Sequence, residues 1–207
     1  MGLSERAPEA QTFDPPTLDY YQSDAEAYGA HRGPVEFPAL MNFIDRLPAG
    51  ATVLELGCGG GQDAEVLFRA GLDVTVTDGS AAMADVAARR LGRPVSVLRF
   101  DELEDIRTFD GVWANACLLH APEVALPDIF ARIHRALRPC GLFCATFKGG
   151  SGGARDRLGR YFNYMSADDL GALVSGSAPW RDVEVQQHSG QDFLGAATEW
   201  LVCRARA

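Results

Sequence analysis

The sequence predicts an α/β fold, a doubly wound and mostly parallel sheet of seven strands that ends in an antiparallel hairpin. Three observations predict it. From residue 51 onward, strand-sized apolar runs alternate with runs of helical period. A glycine-rich turn, Gly57-Cys58-Gly59-Gly60-Gly61, joins the first strand to a helix. The last two strand-like runs are separated by only about nine residues, too few for a helical crossover, so they must pair antiparallel.

Taken in order, residues 1–18, with Pro8, Pro15 and Pro16 among acidic residues, read as an irregular lead-in. A single domain over 19–207 follows, as a chain of 207 residues allows. It opens with a helical cap over 19–47, made of helices over 19–30 and 38–46; Leu47-Pro48 and Gly50 stop the second. Strands are expected over 52–56, 73–77, 95–99, 111–115 and 142–147, with helices over 62–70, 81–91 and 123–137. The turn Arg138-Pro139-Cys140-Gly141 closes the last of these helices. A helix over 167–175 and strands over 182–188 and 198–204 complete the chain.

A chain that is 47% hydrophobic and 23% charged is ordinary for a globular protein. Its net charge of -9 and pI near 4.9 offer nothing general to a nucleic-acid backbone or an anionic membrane. No apolar run approaches the roughly 20 residues of a membrane span and no signal pattern opens the chain, which places it in the cytoplasm. Its five cysteines, Cys58, Cys117, Cys140, Cys144 and Cys203, show neither CxxC pairing nor zinc-ligand spacing, so they read as reduced thiols and no metal site is expected. Cys58 is either a small residue that fits its turn or a thiol acidified by the helix start.

The glycine turn lets the backbone bend sharply and approach a ligand closely at a helix start. A dinucleotide fingerprint needs glycine at position 62, where Gln62 stands; the third glycine, Gly61, comes one residue early. Glu55 before the turn would repel a pyrophosphate and welcome a cation. Asp78, at the end of the second strand and beside Gly79, can accept both hydroxyls of a ribose, or it can cap the next helix. Asp101 and Glu102, after the third strand, can accept from an adenine amino group or stand as solvated acids.

The runs ELGCGGGQDAEVL, VTVTDGS, FDELEDIRTFDGVWANACLLHAP and HRALRPCGLF, in that order, resemble the class I S-adenosylmethionine (SAM)-dependent methyltransferases. The resemblance covers the chain from about residue 18 to its end and implies a Rossmann-like sheet, SAM as cofactor and S-adenosylhomocysteine (SAH) as product. It implies that Glu55, Gly57, Cys58, Gly59 and Gly61 shape the methionine end of the site. Asp78 would serve the ribose, Asp101 and Glu102 the adenine, and Asn115, Ala116 and Leu118 the floor beside the sulfonium, with Gly79 and Met83 also among the cofactor-binding residues. One departure is Cys140, where the family usually has the first glycine of Pro-Gly-Gly.

His120 stands at the rim, where an acceptor would approach, and can act as general base or hold structure. The segment 148–164 is glycine-rich, then basic and aromatic; its Arg155, Arg160 and Tyr161 can hold an anionic acceptor, or the segment is a mobile solvated lid. Tyr20, Tyr21 and Tyr28 can face the site, where a ring suits a sulfonium, or simply pack. No acceptor domain is evident, so the expected partner is a small molecule, with the protein a monomer or homodimer. A SAM- or nucleoside-binding protein without catalysis, and an NAD(P)-dependent reductase, are the alternatives. Asp14-Pro15-Pro16-Thr17 looks like the D-P-P-Y motif of amino-directed DNA methyltransferases, but no strand precedes it, and a permuted fold has no room.

Overall fold

A computed structural model describes residues 12–30, 38–192 and 195–207; most of the expected lead-in and the middle of the cap lie outside them. Five strands, β1 (Thr52–Glu55), β2 (Asp73–Asp78), β3 (Ser96–Val97), β4 (Phe109–Ala114) and β5 (Leu137–Lys148), pair in parallel. The antiparallel β8 (Arg181–Gln191) and β9 (Ala197–Arg206) complete a seven-stranded sheet in the order β3-β2-β1-β4-β5-β9-β8. The fold class read from the sequence is the one observed.

Alternation along β1 places Leu54 and Leu56 in one core and Val53 in another, so Glu55 ends the strand on the Val53 face. The first core is closed by α6 (Leu126–Ala136), whose Leu126, Ile129, Phe130 and Ile133 recur at helical spacing and are buried. Each such side chain contributes about 1.5–3 kcal/mol on burial. The second core lies under α3 (Pro38–Asp45) and α4 (Gln62–Arg69), with Trp113 of β4 fully buried at its centre. The remaining helix between parallel strands is α5 (Ala81–Leu91), capped by the Ser80 hydroxyl; α7 (Ala167–Ser177) precedes β8.

Four expectations are corrected. Order begins before residue 19: α1 (Pro15–Ser23) starts on Asp14, whose carboxylate accepts from Thr17 N–H at 3.0 Å, and α2 (Ala25–Ala30) is separate. The third strand shrinks from five residues to two because Arg99 turns out to cap a short 3-10 turn, Phe100–Glu102. The segment 148–164 is not a loose lid but carries a hairpin, β6 (Gly152–Arg155) with β7 (Tyr161–Tyr164). β5 begins at Leu137 directly after α6, with a register shift through Arg138–Gly141 and Cys140 held at φ 66.

Candidate active site

The carboxyl ends of β1, β2 and β4 meet the glycine turn. Gly57, Gly59 and Gly61 all occupy the left-handed region, at φ 63, 56 and 81. A Cβ on Gly57 would stand 2.5 Å from that of Cys117, and one on Gly61 would press Leu91 and Ala87 at 3.2–3.3 Å. Gly57 and Gly59 therefore bring bare backbone to the cavity wall, while Gly61 sets the packing of α4 on α5 and lines no cavity.

Three carboxylates converge behind this turn. Glu55 is 2% exposed; one of its oxygens has no hydrogen-bond partner, and burial, then the charges of Asp63 and Asp78, push its carboxyl well above the usual range. Asp63, on the first turn of α4, accepts from Trp113 Nε1 at 2.9 Å and Asn115 Nδ2 at 3.0 Å, and burial raises it too. Asp78 accepts from Gly59 N–H and Ser80 N–H, each at 2.9 Å, and burial lifts it to about 6. Burial also pushes the Cys58 thiol up, which favours the reading of Cys58 as a small residue that fits its turn. Among the described residues no arginine or lysine lines the cavity beside Glu55 and Asp63. A buried acid with a free oxygen, beside two more and with no cation among the described lining residues, suits a cationic ligand.

Two cavities share Tyr28, Gly57, Gly59, Asn115 and Ala116. The first, about 120 Å³, holds Asp78, Gly79, Phe100, Asp101 and Cys117, under a roof that includes Phe13, Leu18 and Tyr21. Burial alone would raise Asp101, but hydrogen bonds from Arg99 and Thr12 outweigh it and hold the carboxyl low. The second, about 400 Å³, holds Glu55, Cys58, Gly60, Gln62 and Asp63 and extends to Thr146, His188, Gln191 and Trp200. Between them Ala116 sits at φ 49, its N–H on Thr146 Oγ1 at 2.8 Å, while that hydroxyl donates to Asn115 Oδ1 at 2.6 Å.

Several predicted residues lie elsewhere. Glu102 accepts from Arg99 N–H and pairs with its guanidinium, closing the 3-10 turn rather than a cavity. Met83 and Leu118 are fully buried and line neither cavity. Tyr20 stands under the Arg160 guanidinium, 5.2 Å from its ring centroid. Arg155 is bonded to both oxygens of Asp14, at 2.7 and 2.9 Å, and Arg160, 3% exposed, is bonded to Asp156 and to Tyr21. Neither arginine lines either of these two cavities.

His120 does reach the first cavity, with both ring nitrogens engaged. Its Nδ1 stands 2.6 Å from the Tyr161 carbonyl, which can only accept, so Nδ1 carries the proton and Nε2 accepts from Tyr21 Oη at 2.9 Å. Burial holds the ring neutral, its pKa lowered to about 4. Tyr161 N–H in turn donates to Thr17 Oγ1 at 2.8 Å, so His120, Tyr21, Arg160 and the β6–β7 hairpin clasp α1 over the cavity. Asp63, Thr146, Cys117 and the roof before residue 19 were not read from the sequence. Asp63 alone carried a signal, as an acid in the first turn of the helix that the glycine turn opens.

Among the described residues no cluster suits a metal ion, and no helix is long and apolar enough to cross a membrane. Residues 53–141 match the family model described as a methyltransferase domain. The ubiquinone biosynthesis O-methyltransferase of Xanthomonas oryzae pv. oryzae is 31% identical over 159 residues, 69% of this chain and 65% of the relative. That of Xylella fastidiosa is 30% identical over 66% of this chain and 64% of its own length. The chain thus spans just under two thirds of these relatives. Among solved structures, Burkholderia thailandensis 1,6-didemethyltoxoflavin-N1-methyltransferase, with bound 1,6-didemethyltoxoflavin and SAH, superposes with TM-score 0.73 at 25% identity, covering 100% of this chain and 92% of that one.

Proposed function

We propose that this chain, which belongs to the class I SAM-dependent methyltransferases, methylates a small-molecule acceptor at the junction of its two cavities. The observation that carries the reading is the buried Glu55 oxygen without a partner beside a backbone of left-handed glycines. An α-ammonium group suits that oxygen, and ribose hydroxyls suit the remaining lone pairs of Asp78. Phe100, Cys117 and Ala121 offer an apolar slot for a purine, with the Asp101 carboxylate at its edge. The residues therefore fit SAM.

Bound there, SAM would supply an electrophilic sulfonium methyl group for transfer to an acceptor heteroatom. The chain's own part is positioning and exclusion of water. Glu55 and Asp63 offer carboxyl oxygens to a cation near the glycine turn; the Asp63–Trp113–Asn115–Thr146–Ala116 chain of hydrogen bonds fixes the strained backbone at the shared wall. His120, neutral and bonded at both nitrogens, is a positioning residue in this reading rather than the general base. It holds Tyr21, and through it α1, over the first cavity.

The fused-ring acceptor named for the Burkholderia structure and the ubiquinone pathway named for the Xanthomonas relative both support a small organic acceptor. Trideuteromethyl-labelled SAM incubated with the chain and the low-mass fraction of a bacterial extract should yield labelled small molecules by mass spectrometry. Label found only on protein or nucleic acid, or no label transfer, would overturn the reading.

A further inference from the structure

We propose that the end of the larger cavity walled by Thr146, His188, Gln191 and Trp200 takes the methyl acceptor, and that the acceptor is an uncharged, flat aromatic or heteroaromatic molecule. This rests on the methyltransferase reading above, and it names residues and a substrate class that neither the family match nor the glycine turn supplies. Size supports it first: about 400 Å³ is more than the tail of an amino acid fills, and it lies in the usual range of small-molecule sites.

Shape supports it next. In the sheet register Trp200 of β9 lies between Lys148 of β5 and His188 of β8. Its indole is pinned, with Nε1–H donating to the Gln191 carbonyl at 3.2 Å. Gly190 makes the room: a Cβ there would stand 3.0 Å from Trp200 Cδ1. A ring fixed in this way offers a preorganised flat face, which a flat ligand covers without ordering a side chain. The His188 imidazole and the Gln191 amide supply a polar edge, while the Thr146 hydroxyl is committed to Asn115 and Ala116.

Charge decides against an anion. Among the described residues, the acidic side chains of the cavity wall are Glu55 and Asp63, and no arginine or lysine lines it. Lys148, next to Trp200, is 7% exposed and pairs with Asp192 at 3.0 Å. The arginines that the sequence offered to an anionic acceptor are paired with Asp14 and Asp156. Among the described residues no arginine or lysine lines the wall to pair with an anion, which would lose its water there without a partner.

The test uses the full chain saturated with SAH and three bicyclic probes of similar size: 2-naphthol, 2-naphthoate and 2-decalol, which are flat and neutral, flat and anionic, and neutral but not flat. NMR titration should show 2-naphthol binding about tenfold tighter than either of the others. Trp200→Leu should weaken naphthol about tenfold and leave the SAH Kd within about twofold. Should Trp200→Leu fail to fold, Gln191→Lys at an exposed position serves instead: it should shift the naphthol-to-naphthoate preference about tenfold toward naphthoate, and an unchanged preference overturns the proposal. Equal or tighter binding of naphthoate by the unmodified chain, or a naphthol Kd indifferent to Trp200, overturns the proposal. SAH binding without naphthol preference overturns this proposal alone, whereas failure of SAH to bind removes the methyltransferase reading beneath it.

Discussion

Replacing Asp78 by asparagine should alter how stability depends on pH more than it alters stability at any one pH. Burial lifts the Asp78 carboxyl from 3.8 to about 6, against the N–H bonds from Ser80 and Gly59. A rise of that size corresponds to about 3 kcal/mol. Between those values the folded chain holds a proton that the unfolded chain has lost. The stabilisation from this group is therefore fully present below 3.8 and is lost as pH rises through 6. Asparagine has no such dependence, although it gives up one of the two N–H bonds at every pH. The unfolding free energy of Asp78→Asn minus that of the wild type should then climb by about 3 kcal/mol between about pH 3.5 and pH 7. Urea titrations of the ligand-free chain, followed by tryptophan fluorescence, measure it. The difference is needed because His120, lowered from 6.5 to about 4, works in the opposite direction over nearly the same range and masks Asp78 in the wild type alone. A difference that is flat or falls with pH would refute the claim that desolvation dominates at Asp78.

Other expectations follow from the same geometry. The Kd for SAH should rise about tenfold per pH unit below about 6, as protonation of Asp78 competes with ligand, and a pH-independent Kd between about pH 5 and 7 would contradict this. Gly57→Ala, at φ 63 and with a Cβ 2.5 Å from Cys117, should cost about 2–4 kcal/mol and lower the Tm accordingly. Cys140→Gly relieves a left-handed cysteine at φ 66 and should stabilise by about 1 kcal/mol, with SAH affinity unchanged. Arg155→Ala opens the exposed clasp to Asp14; it should leave the Tm within about 2 °C and speed SAH release in stopped-flow.

The sheet was legible because period and spacing carry topology. Alternating strands and helices, and a gap too short for a crossover before 198–204, determine the order of layers without any tertiary information. Glu55, the glycines and Asp78 were legible for a related reason: they sit at fixed offsets from strand ends. What was missed depends on which partner the folded backbone brings to each charge, whether distant or near in sequence. Arg155 and Arg160 read as free cations in a row of charges, yet their partners are Asp14, more than a hundred residues away, and Asp156, reached only through the hairpin turn. Glu102 reads like Asp101 until Arg99 folds back on it. The helix start at Asp14-Pro15-Pro16 carried a local signal, an acid followed by proline at the first helical position, that was overlooked among surrounding prolines. The acceptor wall at His188, Gln191 and Trp200 has no motif, because only strand register brings it to the glycine turn.

The central claim, that the acids behind the glycine turn and the Asp78 carboxylate make a SAM site, is tested most directly by calorimetric titration of the chain with SAM and with SAH beside Asp78→Ala. The account predicts a Kd on the order of micromolar for both ligands and a loss of about thirtyfold or more in the variant. No heat of binding from either ligand at about 1 mM, or equal affinity in wild type and variant, would contradict it.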